Sequence, residues 1–367
     1  MNGPRDDPRD LQDRLDSFYA DLASVDLQPL WTQTKNLLPA FPAPAAIPWL
    51  WQGVTLRALA AQARDLITIE RGGERRVLAL ANPGLGGAPF ATPTLWGAIQ
   101  ALGPRERAPA HRHTASAIRF VLEGDGVWTT VDGDACRMHP GDLVLTPAWT
   151  FHDHTNEGDE AMTWFDGLDL PLVNTLDAVF YENHPDFNQP VRCYDLSEQI
   201  YAGSGLLPYG TSNDAPHSPL LVYRWAQSDA TLARLLASNG GVMASIEFAD
   251  PTSGGPALPT MTCALHRVVP GGRSIATCKS GSSIFVVYRG AGRSVIDGQA
   301  FDWTAGDMFV VPSWKSVDHE AETTSELFEV SDEAALRALR LFRRETVDEP
   351  QDVKTVFRPR ALEAIGT

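Results

Sequence analysis

Residues 120–149, FVLEGDGVWTTVDGDACRMHPGDLVLTPAW, return in altered form at 285–314 as FVVYRGAGRSVIDGQAFDWTAGDMFVVPSW. Gly124 and Gly126 correspond to Gly290 and Gly292, and Gly141, Asp142, Pro147 and Trp149 correspond to Gly306, Asp307, Pro312 and Trp314. Self-similarity of this kind marks a repeated structural unit. In and around the first copy, short apolar runs at 118–122, 127–131, 143–146 and 162–165 are separated by GDG, VDGD and HPGD turns. That spacing belongs to a small antiparallel barrel or jelly roll. The chain is therefore expected to be mainly β, with the barrel duplicated.

Working outward, Leu11, Leu15, Phe18, Tyr19 and Leu22 recur at helical spacing in a stretch read as helix from about Asp10 to Leu38, and FPAPAAIPW then forbids continuation. A second amphipathic stretch covers about 55–66, followed by RGGERRVLALANPGLGG. The expected organisation is an N-terminal helical arm and pocket-lining segment (1–90), a first barrel (91–175) and a linker region (176–254) carrying the helical run SDATLARLLAS. A second barrel (255–331) and a C-terminal helix and tail (332–367) complete it. A chain of 367 residues matches two domains at roughly 150 residues each.

Thirty Lys and Arg against 46 Asp and Glu leave a net charge of −16, which repels phosphate backbones and anionic membrane surfaces. Nucleic acid and membrane are not expected partners. A small anionic ligand would need clustered arginine or a metal cation where it docks. Cys136, Cys193, Cys263 and Cys278 form no CxxC pair, and MNGPRDDPRDLQDRL lacks an apolar signal core, so a reducing, cytoplasmic location is expected.

Six of the nine histidines, 111, 113, 139, 152, 154 and 184, fall in or around the first copy. Strand residues two apart share a face, so His111 and His113 of HRH can present two imidazoles together. His152 of HDH can join them from a neighbouring strand. Three neutral imidazoles hold a divalent metal.

The run GDLVLTPAWTFHDHTN resembles the second motif of the cupin superfamily, with Trp149 where a glycine is usual, and HRH supplies the first motif. The resemblance implies a bicupin. The usual cupin glutamate after HxH is missing, since Ala115, Ser116, Ala117 and Ile118 occupy that stretch. A site of His111, His113 and His152 keeps the full charge of the metal and up to three open positions, which points to Fe(II) and oxygen chemistry. Ligand type alone leaves zinc and manganese open. In the second copy the three positions become Thr277, Lys279 and Val317, with His319 matching His154, so a structural role is expected there.

Arginine for an anionic ligand is supplied by Arg119 and by Arg71, Arg75 and Arg76 of RGGERR. Asp153 and His154 flank the third histidine and are the candidate acid or base. Trp96, just before the barrel, reads by default as core.

RGGERRVLALANPGLGG, PAHRHTASAIRFVLEGDGVWTTVDGD, MHPGDLVLTPAWTFHDHTNEGDEAMTWFDGLDLPLV and GDMFVVPSW together resemble gentisate 1,2-dioxygenases, with salicylate and 1-hydroxy-2-naphthoate dioxygenases as alternatives. The resemblance covers most of the chain. It implies Fe(II) on His111, His113 and His152, and a substrate pocket lined by Arg71, Arg75, Trp96, Arg119 and His154. It further implies a small aromatic hydroxy acid and O2 as partners, maleylpyruvate as product and a homotetramer. Ala98 and Val77 differ from some relatives and are expected at the pocket wall. An oxalate-type manganese decarboxylase would need two intact sites and a ligand glutamate, which the sequence lacks. A metal-dependent binding cupin without turnover would have no use for the arginines.

Overall fold

The computed structural model describes residues 8–67, 76–203, 205–347 and 349–360. Two compact units divide the chain at Ala43 and Pro44. In the first, α1 (Pro8–Ser24) and α2 (Leu30–Leu37) replace the single helix expected from about Asp10 to Leu38. Asp26 takes a left-handed conformation at φ 56° and Pro29 precedes α2, so helical hydrogen bonding cannot run through. The two helices meet through Phe18 stacked on Trp31 and the Trp31 Nε1–H donated to Tyr19.

The second unit opens with β1 (Trp49–Trp51), α3 (Gly53–Leu66) and β2 (Val77–Ala79). The first barrel follows as β3 (Trp96–Leu102), β4 (Arg107–His113), β5 (Ala117–Glu123), β6 (Val127–Val131), β7 (Asp134–Arg137), β8 (Leu143–Thr146), β9 (His152–Asn156) and β10 (Met162–Leu168). The region from 176, expected as a linker, supplies β11 (Tyr181–Asn183), β12 (Cys193–Tyr194) and β13 (Val222–Tyr223), framed by α4 (Leu170–Thr175), α5 (Leu196–Tyr201) and α6 (Trp225–Asn239). Two six-stranded sheets result, β13-β8-β5-β10-β3-β2 and β11-β4-β9-β6-β7-β12.

The second barrel repeats the plan with β14 (Met243–Glu247), β15 (Thr262–Val268), β16 (Ala276–Lys279), β17 (Ser283–Arg289), β18 (Ala291–Ile296), β19 (Gln299–Thr304), β20 (Met308–Val311), β21 (Val317–Ala321) and β22 (Ser325–Ser331). After α7 (Glu333–Ala338), the tail adds β23 (Arg344–Val347) and β24 (Thr355–Val356). Its sheets are β1-β20-β17-β22-β15-β14 and β23-β16-β21-β18-β19-β24. The architecture is mainly β and bicupin.

Strand alternation gives each first sheet two apolar faces. One face of the first barrel's sheet carries Val121, Val144 and Trp164 into its own interior. The other carries Ile118, Phe120, Leu143 and Phe165 against Val286, Met308 and Phe328 of the second barrel. Phe120 and Phe328 stack there at 4.2 Å between ring centroids. Each fully buried side chain of this size contributes about 1.5–3 kcal/mol.

The two barrels are also locked by reciprocal exchanges. β1 precedes the first barrel but pairs with β20 of the second, and β13 precedes the second but pairs with β8 of the first. Asp307 of the second barrel accepts the Gly53 N–H at the start of α3, while Asp142 of the first accepts the Trp225 N–H at the start of α6. Thr94 donates to Asp332 and Thr260 to Asp169, once more in opposite directions across the pair. The repeated Gly-Asp turn seen in the sequence is thus a helix cap delivered across the duplication.

Candidate metal centre

β4 and β9 are antiparallel neighbours with His111 directly opposite His152. His113 lies two residues along β4, on the same face. One potential ligand atom from each of the three lies within 4.8 Å of the others, and the ring centroids are 4.5, 4.9 and 5.5 Å apart. This is the one such convergence of His, Cys and acidic side chains among the described residues.

Backbone carbonyls set the tautomer of all three rings. His111 Nδ1 lies 3.0 Å from the Pro109 oxygen, His113 Nδ1 2.7 Å from Ala115 and His152 Nδ1 3.1 Å from Thr150. A carbonyl only accepts, so each Nδ1 carries a proton, and in the neutral ring each Nε2 keeps its lone pair. His152 Nε2 is buried with no hydrogen-bond partner. Burial, then Arg119 and the neighbouring histidines, holds the His152 imidazole well below its ordinary pKa and therefore neutral. An uncharged, orphaned, buried lone pair costs about 1–3 kcal/mol unless something fills it, and a divalent cation does. The donor set fits a metal.

The opposing wall is built by β3, β5, β8 and β10. Arg119 pairs across with Asp166 and Val144, and its Nη1 donates to Thr146 Oγ1 at 2.9 Å. Its Nε lies 3.4 Å from Asp166 Oδ1, with both side chains nearly inaccessible to solvent. Trp164 Nε1 donates to the same carboxylate at 3.1 Å. Burial raises the Asp166 carboxyl to about 6 even against the pull of Arg119. Trp96 and Ala98 share the strand parity of Gln100 and Leu102, and Leu102 belongs to the barrel's interior cluster. Val77 lies opposite Gln100 on β2.

His154 follows His152 on the same face of β9, with ring centroids 6.2 Å apart. Its Nδ1 lies 2.9 Å from Thr129 Oγ1, and burial first, then Arg119 and His111, keep it neutral. Asp153 alternates to the opposite face, where its carboxylate accepts the Gln189 N–H at 3.0 Å. Of the two candidate acid–base groups, only His154 shares the face of the triad. Arg76 is likewise committed elsewhere, to Glu106 and the Arg64 carbonyl. Arg71 and Arg75 lie outside the described residues.

Sequence reasoning missed Asp166, Thr129 and Thr146. A signal for Asp166 exists in the duplication: the position opposite Phe285 in the second barrel, matching Asp166 opposite Arg119, is Glu329.

The second barrel keeps the scaffold and changes the chemistry. Thr277 faces Val317 as His111 faces His152, and Lys279 accepts the Trp314 N–H as His113 accepts that of Trp149. A cavity of about 750 Å³ opens there, lined among others by Lys279, His266, His319 and Glu329. Lys279 Nζ lies 2.6 Å from Glu329, which also receives Ser283 and His266. Burial would raise the Glu329 carboxyl, but Lys279 and His266 hold it well below the usual carboxylate range. An ammonium paired with Glu329 thus occupies the ligand position, and no metal triad lines the cavity among the described residues.

Fold and site together define a two-barrel cupin whose first barrel brings together three histidines that could hold a metal ion. A cupin-domain family model matches residues 98–168. Gentisate 1,2-dioxygenase of a Streptomyces species is 47% identical, over 90% of this chain and 94% of that protein. A Comamonas 5-aminosalicylate 1,2-dioxygenase is 36% identical over 94% and 93%. The crystal structure of salicylate 1,2-dioxygenase from Pseudoaminobacter salicylatoxidans with gentisate adducts superposes with a TM-score of 0.87, at 40% identity over 95% and 96%. The chain belongs to the gentisate 1,2-dioxygenase family, which includes salicylate and hydroxynaphthoate dioxygenases; it is an oxidoreductase of the ring-cleaving dioxygenase type.

Proposed function

We propose that the protein cleaves gentisate with O2 to maleylpyruvate, using Fe(II) held by His111, His113 and His152. The observation that carries this is the all-imidazole face opposite a buried arginine. Imidazoles that hold a metal do so uncharged, and the Arg119–Asp166 pair cancels, so a bound divalent cation would leave a net charge of about two positive for a carboxylate and a phenolate to neutralise. The gentisate adduct of the salicylate enzyme supports the ring class.

Fe(II) would supply Lewis acidity toward the chelating carboxylate and hydroxyl and a path for electrons between ring and dioxygen. The chain's own residues do the rest. Arg119 is held by Thr146 and steered by Asp166, so its guanidinium approaches a substrate carboxylate in one orientation. His154, neutral and anchored through Thr129, accepts a hydrogen bond or a proton from the second hydroxyl. Trp96, at the start of β3, would bound the ring, and the family resemblance assigns Arg71 and Arg75 a part in binding the carboxylate.

We also infer a cytoplasmic homotetramer. All four cysteines are free, and no helix among the described residues is long and apolar enough to cross a membrane. Leu176, Phe180, Tyr181 and Phe187 form an exposed apolar run beside β11 that suits subunit contact.

Anaerobic loading with Fe(II), followed by gentisate and oxygen, should give stoichiometric oxygen uptake and a new near-ultraviolet product band. Absence of uptake by fully loaded protein refutes the assignment. Salicylate and 1-hydroxy-2-naphthoate run in parallel decide the substrate branch.

A further inference from the structure

Arg112 sits between the two β4 histidines but points to the barrel's outer side. Its guanidinium carbon lies 4.4 Å from the ring centroid of Trp149 and 4.4 Å from that of Phe151. Its Nε and Nη2 both donate to Glu182 Oε2, at 2.9 and 2.6 Å. One side chain therefore ties three segments together. The first is β4, which carries His111 and His113. The second is the turn before β9, where Trp149 donates its N–H to the His113 carbonyl and Thr150 orients the His152 ring. The third is β11, whose Tyr181 ring lies against His111 at 5.5 Å.

The duplication supplies an internal control. At the equivalent places the second barrel has Cys278 for Arg112, Ser316 for Phe151 and Glu345 opposite Cys278. It retains Trp314, left-handed at φ 61° like Trp149 at φ 64°. The barrel and its turn form without an arginine clamp, and the barrel that lacks the clamp also lacks the histidine triad. The clamp accompanies the ligand set and is not required by the scaffold.

We propose that Arg112 is a positioning residue for the metal centre: stacked on Trp149 and Phe151 and anchored to Glu182, it fixes the separation of β4 from the β9 turn and so the convergence of the three Nε2 atoms. It rests on the triad's being a metal site. The planar, stackable guanidinium carries the function, so lysine should restore only part of it.

The test measures metal affinity by anaerobic competition of Fe(II), and separately Co(II), against a chromophoric chelator. It also records the visible d–d spectrum of the Co(II) protein and the melting temperature of the metal-free form. Arg112→Ala should weaken binding about 10- to 100-fold, the range for residues that orient ligands, and shift the Co(II) bands while the metal-free melting temperature stays near the parent's. Arg112→Lys should fall between, and it carries the test alone if the alanine variant does not fold. A variant binding within twofold of the parent, with a superimposable spectrum, overturns the proposal. So does a loss of affinity matched by general destabilisation without spectral change. A parent that holds neither metal overturns the metal reading together with this one, whereas equal binding by parent and variant overturns the clamp alone.

Discussion

Replacing His152 by leucine should separate the energetic cost of the metal site from its benefit. In the metal-free protein, His152 Nε2 is a buried acceptor without a partner, a situation worth about 1–3 kcal/mol of destabilisation. Leucine removes that atom but also the Nδ1 bond to Thr150, so the metal-free variant should be as stable as the parent or about 1 kcal/mol more so. Metal at one hundred times its dissociation constant stabilises the parent by about 2.7 kcal/mol. With 367 residues at about 2.1 cal/mol/K each, the unfolding entropy is roughly 0.8 kcal/mol/K. The parent should therefore melt about 3 °C higher with Fe(II), and the variant should not respond. The assay is calorimetry under anaerobic conditions with and without metal. Two results would refute the reasoning: a variant stabilised by metal as much as the parent, or a metal-free variant melting more than about 3 °C below it, which would mean that His152 belongs to the packing alone.

Arg119→Met should raise the KM of the loaded enzyme for its acidic substrate about 10- to 100-fold, the worth of a charge-assisted bond, with Arg119→Lys intermediate; steady-state oxygen uptake measures it, and an unchanged KM removes Arg119 from the substrate's surroundings. His319 is buried neutral with its pKa lowered from 6.5 to about 4, chiefly by burial. The folded state therefore binds fewer protons there, so stability is present above pH 6.5 and lost as pH falls toward 4. His319→Asn should remove about 3 kcal/mol of that acid loss, read from urea midpoints at pH 7 and pH 4. Lys279→Met leaves Glu329 buried with only His266 and Ser283, and should cost about 3–5 kcal/mol in urea unfolding. Metal content should stay at one equivalent per chain, and a drop would show that the second barrel shares the site.

Local pattern was enough to make the triad legible. HRH on a strand places two imidazoles on one face, and the copy at 285–314 shows which positions belong to the scaffold and which to chemistry. The loss of the usual carboxylate ligand could be read directly from Ala115 to Ile118. The same alternation explains why His154 rather than Asp153 faces the triad, but choosing between them required the Gln189 contact across 36 residues.

What the sequence by itself determined is therefore the duplicated barrel, the three histidines and the family. Strand period, turn glycines and motif spacing are local properties that no distant contact has to supply. Only the tertiary structure decided that β1 and β13 cross to the other barrel, that Asp142 and Asp307 cap helices, and that Asp166 lies beside Arg119. Those pairings join positions from 47 residues apart, Arg119 with Asp166, to 261 apart, Trp49 with Val310, where many alternatives satisfy the same local pattern. Burial and hydrogen-bond satisfaction across the whole fold select among them.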